Sequence, residues 1–228
     1  GMEVFMVVRH HQIDFASGAL VFPGGKVDKQ DRDERVISRL SPYPKAETDQ
    51  GTLRAAAIRE AFEESGILLA RRKGGSAVVG DSDLDRWREG LNKHTLTLGD
   101  LLVEGNLELA CDDLAHFSHW ITPEFMPKRF DTHFYLARVP ADQIAAHDGH
   151  ENVDSVWITP QQVIEDAREK RRTVIFPTLL FVLLGSSRLL VVGADSATAA
   201  ILAAGLTSAA IPGATPGSAE WLAYCSFI

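Results

Sequence analysis

Residues 59–67 read Arg59-Glu60-Ala61-Phe62-Glu63-Glu64-Ser65-Gly66-Ile67, and no other run constrains the fold of this chain as tightly. As a helix it places Glu60, Glu63 and Glu64 at i, i+3 and i+4, on one face, with neighbouring Cβ atoms roughly 5–6 Å apart. Ala57, Ile58, Ala61 and Phe62 are available to pack that helix on a core. Carboxylates this close repel one another unless a cation sits among them, and hard oxygen ligands suit Mg²⁺ or Mn²⁺. An acidic run on a helix is, taken alone, commonly a solvated face. Three neighbours argue for a metal site instead. Arg59 directly precedes the carboxylates, Gly66 follows where a helix C-cap would lie, and Phe22-Pro23-Gly24-Gly25 ends an apolar segment upstream. Glycine permits close backbone approach, so Gly24 and Gly25 are expected to shape a metal–phosphate site beside the helix.

Together these residues resemble the Nudix box, G-x5-E-x7-R-E-U-x-E-E-x-G-U, where U is a bulky apolar residue. Residues 59–67 match every fixed position, with Ala61 a small occupant of the first U. The first half departs from the pattern. Counted from Gly25, a Glu is expected at 31 and an Arg at 39; the chain has Asp31 and Arg39, but Leu40 stands where the next Glu belongs. Counted back from Arg59, the Glu falls on Gly51. Either Asp31 replaces the expected acid or no residue does. Roughly 20 residues are inserted inside the box, polar and broken by Pro42 and Pro44. They read as a surface excursion at about 30–50, which costs little closure entropy.

A box divided in this way is similar to the Nudix hydrolases related to mammalian peroxisomal coenzyme A diphosphatase. His119-Trp120-Ile121-Thr122-Pro123 and Arg129-Phe130-Asp131-Thr132 look like that branch as well, and the resemblance covers roughly residues 4–180. It implies a diphosphatase that uses Mg²⁺ or Mn²⁺ and acts on coenzyme A or acyl-CoA, releasing 3′,5′-ADP and a 4′-phosphopantetheine compound. Glu60, Glu63 and Glu64 are then the metal-binding and catalytic set, with Glu60 also a base toward water. Arg59 supports them by pairing with a carboxylate, against the competing reading of an ordinary surface i,i+4 pair. The resemblance also implies a further acid ahead of a late strand. Glu151 occupies such a place, with Asp148 and Glu104 as weaker alternatives and a solvated loop acid as the competing reading. Arg129 and Lys128, ahead of a strand at 132–139, are candidates for holding substrate phosphates.

The chemistry agrees with the pattern. A diphosphate repels an attacking water, and divalent ions neutralise its oxygens and acidify bound water. Positioning and electrostatics then supply most of the catalysis. ADP-ribose, NADH and nucleoside triphosphates are alternative substrates. A nucleotide-sensing binding protein that does not cleave is an alternative of another class, against which the full set of three carboxylates speaks. His10, His11, His133 and His147 show no metal-ligand spacing that rivals the glutamates, and Phe117, Trp120, Phe130 and Phe134 read as core.

The order of elements suits an α/β fold, a Nudix-type α/β/α sandwich with a mixed sheet. Strands are expected at 3–9, 19–22, 107–111, 115–121, 132–139 and 153–158, and helices at 52–65, 98–102 and 161–171. A further helix carries Leu84, Trp87 and Leu91, capped by Asp81 or Ser82. Residues 2–185 are read as the Nudix domain. Residues 186–228, rich in Ala, Gly and Ser, are read as a small helical appendage packed on the core, with its helix at 194–206.

Composition bounds the setting. A net charge of −8 argues against nucleic acid as a partner, and a small-molecule diphosphate is expected instead. Two cysteines, Cys111 and Cys225, are too few for a disulfide framework. The apolar run at 174–184 is interrupted by Pro177 and too short to span a bilayer. No membrane partner is expected, the cytoplasm is the expected compartment, and the chain is taken as a monomer or homodimer.

Overall fold

The computed structural model describes residues 3–11, 17–41, 48–75, 80, 82–122, 129–174 and 190–194. In chain order these form β1 (Val4–Arg9), β2 (Ala19–Val21), β3 (Gly24–Gly25), α1 (Glu34–Ile37), β4 (Leu40–Ser41), α2 (Thr48–Ser65), β5 (Ala70–Arg72), α3 (Leu84–Asn92) and α4 (Leu98–Glu104). Then follow β6 (Leu107–Ala110), β7 (Ala115–Ile121), β8 (Asp131–Ala137), β9 (Asn152–Ile158), α5 (Pro160–Arg168), β10 (Thr173–Val174) and β11 (Leu190–Ala194). The strands group in the orders β10-β2-β1-β9, β3-β11-β8-β7 and β4-β6-β5. Each group is mixed: β10/β2, β3/β11 and β4/β6 run parallel and the remaining pairs antiparallel.

Alternation along the strands builds two cores, because successive side chains point to opposite faces. Phe5 and Val7 of β1, with Tyr135 and Ala137 of β8, pack against Ala55, Ala56, Ile58, Ala61 and Phe62 of α2. Val4 and Met6, with Phe117, Phe134 and Leu136, face Val163 and Ile164 of α5. The expected α/β/α layering is therefore present. The alanines of α2 are fully buried, so the helix backbone sits close to the sheet.

Several boundaries differ from expectation. α2 begins at Thr48, a turn earlier than 52. α5 ends at Arg168, where Asp166 takes ion pairs from Arg171 and Arg172 and stops the helix short of 171. Asp83 precedes α3, without a side-chain capping bond; Asp81 lies outside the described residues.

Two larger findings concern the insertion and the tail. The insertion is not only a surface excursion: Val36 is fully buried, and β4 pairs with β6 in parallel. Its few apolar side chains give it a reason to dock. Within the region read as an appendage packed on the core, Leu190–Ala194 is a strand between β3 and β8. That position closes the backbone hydrogen bonds of both neighbours, which β3, two residues long, cannot do alone. The remainder of the expected helix at 194–206 and most of the apolar run at 174–184 lie outside the described residues. Among the described residues, no helix is long and apolar enough to cross a membrane. Cys111 is a buried free thiol pushed up to about 12, chiefly by burial.

Candidate active site

The carboxylate face of α2 meets the loop that follows β2. Gly24 N–H donates to Glu64 Oε2 at 3.2 Å. A Cβ built on Gly25 would lie 2.4 Å from the Glu60 carboxyl carbon, so only glycine lets this backbone pass so close to that side chain. The two glycines thus touch two of the three glutamates. Gly66 adopts φ of +77° and its N–H donates to Phe62 O, closing α2 as expected for a C-cap.

Arg59 is the hub of the site. Its Nε and Nη2 donate to Asp31 Oδ1 and Oδ2 at 2.8 and 3.0 Å, a two-pronged pair between buried side chains. Nη2 also donates to Lys26 O at 2.8 Å, and Nη1 to Glu60 Oε1 and Glu63 Oε2, both at 2.9 Å. Asp31 in turn accepts from Asp28 N at 2.7 Å and closes a capping box at the start of the 3₁₀ turn Lys29–Arg32. Burial rules out the ordinary surface pair for Arg59. The acid that sequence counting left undecided is Asp31: it holds the arginine, the arginine holds two glutamates, and the loop is tied to the helix across the insertion. Arg39 takes another direction, donating to Leu107 O at 3.3 Å.

Electrostatics show what the cluster lacks. Burial pushes the Glu60 carboxyl up to about 7, with Arg59 pulling it down and Glu63 pushing it up. Burial likewise raises Glu63. The buried Glu64 is held well above the usual carboxylate range, first by burial and then by the Glu60 charge. Burial opposes the charge on Arg59, yet Asp31, Glu60 and Glu63 outweigh it and raise its pKa. Carboxyls here outnumber the guanidiniums of Arg59 and Arg9. A group of buried carboxyls that resist ionisation fits a divalent cation, which would supply the missing positive charge through oxygen ligands.

Of the remaining sequence candidates, Glu151 sits at the head of β9 beside the end of β1, where His10 N donates to Glu151 O at 2.8 Å. Its charge raises Glu64, so the structure brings it to the cluster. Asp148 instead caps the turn before β9, accepting from Glu151 N and Asn152 N at 2.9 and 3.0 Å. Glu104, the last residue of α4, pairs with Arg86 of α3. Arg129 lies just ahead of β8, two strands from β3, with Nε donating to Thr122 O at 3.4 Å. Lys128 is outside the described residues. Sequence reading passed over Arg88, whose guanidinium donates to Glu63 O, Glu64 O and Ala146 O at 3.0, 2.9 and 2.8 Å. A cation on the last carbonyls of α2 steadies the turn that carries the glutamates.

Residues 44–183 match the family model described as the NUDT19 Nudix domain. The chain is 28% identical over 211 residues to acyl-coenzyme A diphosphatase NUDT19 of Xenopus laevis, covering 74% of this chain and 56% of that protein. It is 29% identical over 165 residues to putative nudix hydrolase 7 of Caenorhabditis elegans, covering 72% and 49%. Human acyl-coenzyme A diphosphatase NUDT19 is 27% identical over 217 residues, covering 75% and 56%. The chain spans about half the length of these curated relatives. A crystal structure of a Nudix hydrolase from Alicyclobacillus acidocaldarius superposes with a TM-score of 0.66 over 79% of this chain and 82% of that one; at 23% identity it speaks for the fold. The family match includes Arg59 through Glu64 and Glu151 but begins after Gly24, Gly25 and Asp31, which join the site through contacts alone.

Proposed function

Because the chain belongs to the family of NUDT19 Nudix domains, we propose that it is a divalent-metal-dependent diphosphatase whose substrate is coenzyme A or an acyl-CoA. The observation that carries this reading is the face of α2, where Glu60, Glu63 and Glu64 converge under an arginine anchored on a buried aspartate. Glu60, Glu63 and Glu64 would hold Mg²⁺ or Mn²⁺, and Glu151 adds a fourth carboxylate near Glu64. When bound, the cation neutralises phosphate oxygens and lowers the pKa of water.

The chain's own groups supply position and proton transfer. Arg59 engages Glu60 Oε1, leaving Oε2 to accept the proton of the attacking water. That water adds to one phosphorus of the diphosphate as the P–O–P bridge breaks, giving 3′,5′-ADP and a 4′-phosphopantetheine compound. Gly25, having no Cβ, lets its backbone pass directly beside the Glu60 carboxyl. The substrate assignment draws support from the relatives named acyl-coenzyme A diphosphatase. The proposed setting is the cytoplasm, supported by the paucity of cysteine.

A product assay tests the reading. Purified protein is incubated with CoA, acetyl-CoA, ADP-ribose, NADH and ATP, with Mg²⁺ or Mn²⁺, and products are resolved by chromatography. CoA and acetyl-CoA are expected to turn over fastest, yielding 3′,5′-ADP. Faster hydrolysis of ADP-ribose, NADH or ATP would move the substrate, and no hydrolysis of any compound would indicate a nucleotide sensor. Glu60→Gln and Glu64→Gln are expected to abolish turnover without loss of folded structure; near-normal kcat in both would remove these residues from the machinery.

A further inference from the structure

β7 and β8 carry a second constellation. Residues two apart on a strand share a face, and residues three apart do not. Asp131, His133 and Tyr135 therefore share one face of β8. On β7, His116 and His119 would look to opposite sides of a regular strand. The register shifts between His116 and Ser118, however, so that His116 lies opposite Tyr135 and His119 opposite His133. A bulge of this kind re-aims side chains, and here it turns both histidines to the same face.

The side chains meet. His119 Nε2 is 2.5 Å from Asp131 Oδ1, and His133 Nε2 is 3.7 Å from the same oxygen. The ligand atoms of His119, Asp131 and His133 all lie within 4.8 Å of one another. His133 Nδ1 is 3.1 Å from His116 Nε2, so one nitrogen of His133 is engaged and the other faces Asp131. The His119 and His133 rings stack with centroids 3.9 Å apart and planes 13° apart.

We propose that His119, Asp131 and His133 form a second metal site, of the imidazole–carboxylate type, that takes Zn²⁺ or a similar first-row transition ion rather than Mg²⁺. Imidazole suits Zn²⁺, Ni²⁺ and Cu²⁺, whereas the all-oxygen cluster on α2 suits harder ions. Three protein ligands, two His and one carboxylate, leave a position open to water or a ligand oxygen. His116 supplies the partner that orients a ligating histidine through its other ring nitrogen. His133 is nearly buried and fixed. The His119 and Asp131 side chains are 38% and 61% exposed, so they are free to rotate out of the stacked arrangement and close around an ion.

The site faces the same side of its sheet as the glutamates. Tyr135, next on that face, belongs to the core under α2, with the Arg54 guanidinium 5.1 Å from its ring centroid. Gly25 pairs with Ala194 and Ala194 with His133, so two strand spacings, about 10 Å, separate the glycine loop from His133. The metal site itself does not depend on the proposed diphosphatase activity.

Co²⁺ serves as the probe, added to the purified protein in excess Mg²⁺ so that the glutamate cluster is occupied. Visible absorption of nitrogen-ligated Co²⁺ is followed, and Zn²⁺ is then added in competition. The expected result is one equivalent of Co²⁺, displaced by Zn²⁺, retained in Glu60→Gln and Glu64→Gln. Affinity should fall at least about tenfold in His119→Ala and in Asp131→Asn, both exposed positions checked for folding by circular dichroism. Absence of the bands in the native protein, their persistence unchanged in both variants, or their loss in the glutamate variants would each overturn the proposal. Mg²⁺-dependent hydrolysis in His119→Ala and Asp131→Asn is expected to stay at the native rate, which separates this site from the one on α2.

Discussion

Replacing Asp31 with alanine removes both prongs of its pair with Arg59, at 2.8 and 3.0 Å, and the cap on Asp28 N at 2.7 Å. Breaking a buried ion pair from one side costs about 3–5 kcal/mol, because the other charge is left without compensation. Here the compensation is only partly lost: Arg59 keeps Glu60, Glu63 and Lys26 O. The lower end, about 3 kcal/mol, is therefore expected. For a chain of this size that is a drop of roughly 6–12 °C in Tm. Urea unfolding of the metal-free protein reads it directly. Glu89→Ala, which breaks an exposed pair with Lys93, serves as the contrast and should leave stability close to native. Asp31→Glu restores the residue type of the box pattern but forces a methylene into a fully buried site, at about 1–3 kcal/mol. Freed from Asp31, Arg59 should also draw on Glu60 and Glu63, weakening Mg²⁺ affinity by about 10-fold or more. Stability of Asp31→Ala within about 1 kcal/mol of native, with unchanged Mg²⁺ affinity, would refute the idea that this aspartate anchors the site.

Gly25→Ala puts a Cβ against the Glu60 carboxyl at 2.4 Å and should displace it; a shift approaching 1 Å is expected to cost about 100-fold in kcat, measured over a Mg²⁺ titration, and native turnover would show that the loop yields. The raised pKa of Glu60 links stability to pH in the metal-free protein. The contribution is fully present below 4.5 and is lost as pH rises through about 7, amounting to about 3 kcal/mol. His116 and His133, lowered by burial, act in the opposite sense near neutrality, so the effect is read as the difference between native protein and Glu60→Gln across pH 5–8. Mg²⁺ should suppress that difference; a native protein that gains stability with pH relative to Glu60→Gln would contradict it.

Much of the site was legible because it is local. Spacing on one helix put Glu60, Glu63 and Glu64 on a common face, and Gly66 marked where that helix ends; both follow from the 3.6-residue period and from glycine's access to positive φ. Arg59 was recognised as their support, but not its partner. Counting residues could not choose between Asp31 and Gly51, since an insertion erases the frame, whereas a pair of hydrogen bonds between buried side chains chooses at once. Arg88, reaching the carbonyls at the end of α2 from a separate helix, carried no sequence signal.

By itself, then, the sequence determined the carboxylate face of α2, the glycine loop beside it, the α/β class and the family resemblance, all set by short-range periodicity and spacing. Tertiary structure decided what depends on distant partners. It seated Leu190–Ala194 between β3 and β8, because a two-residue strand leaves an edge to be paired. It gathered His116, His119, Asp131 and His133, where no linear spacing suggested a ligand set, because a bulge in β7 moved one strand's side chains by a register step. Register is a property of two strands together, and neither strand's sequence contains it.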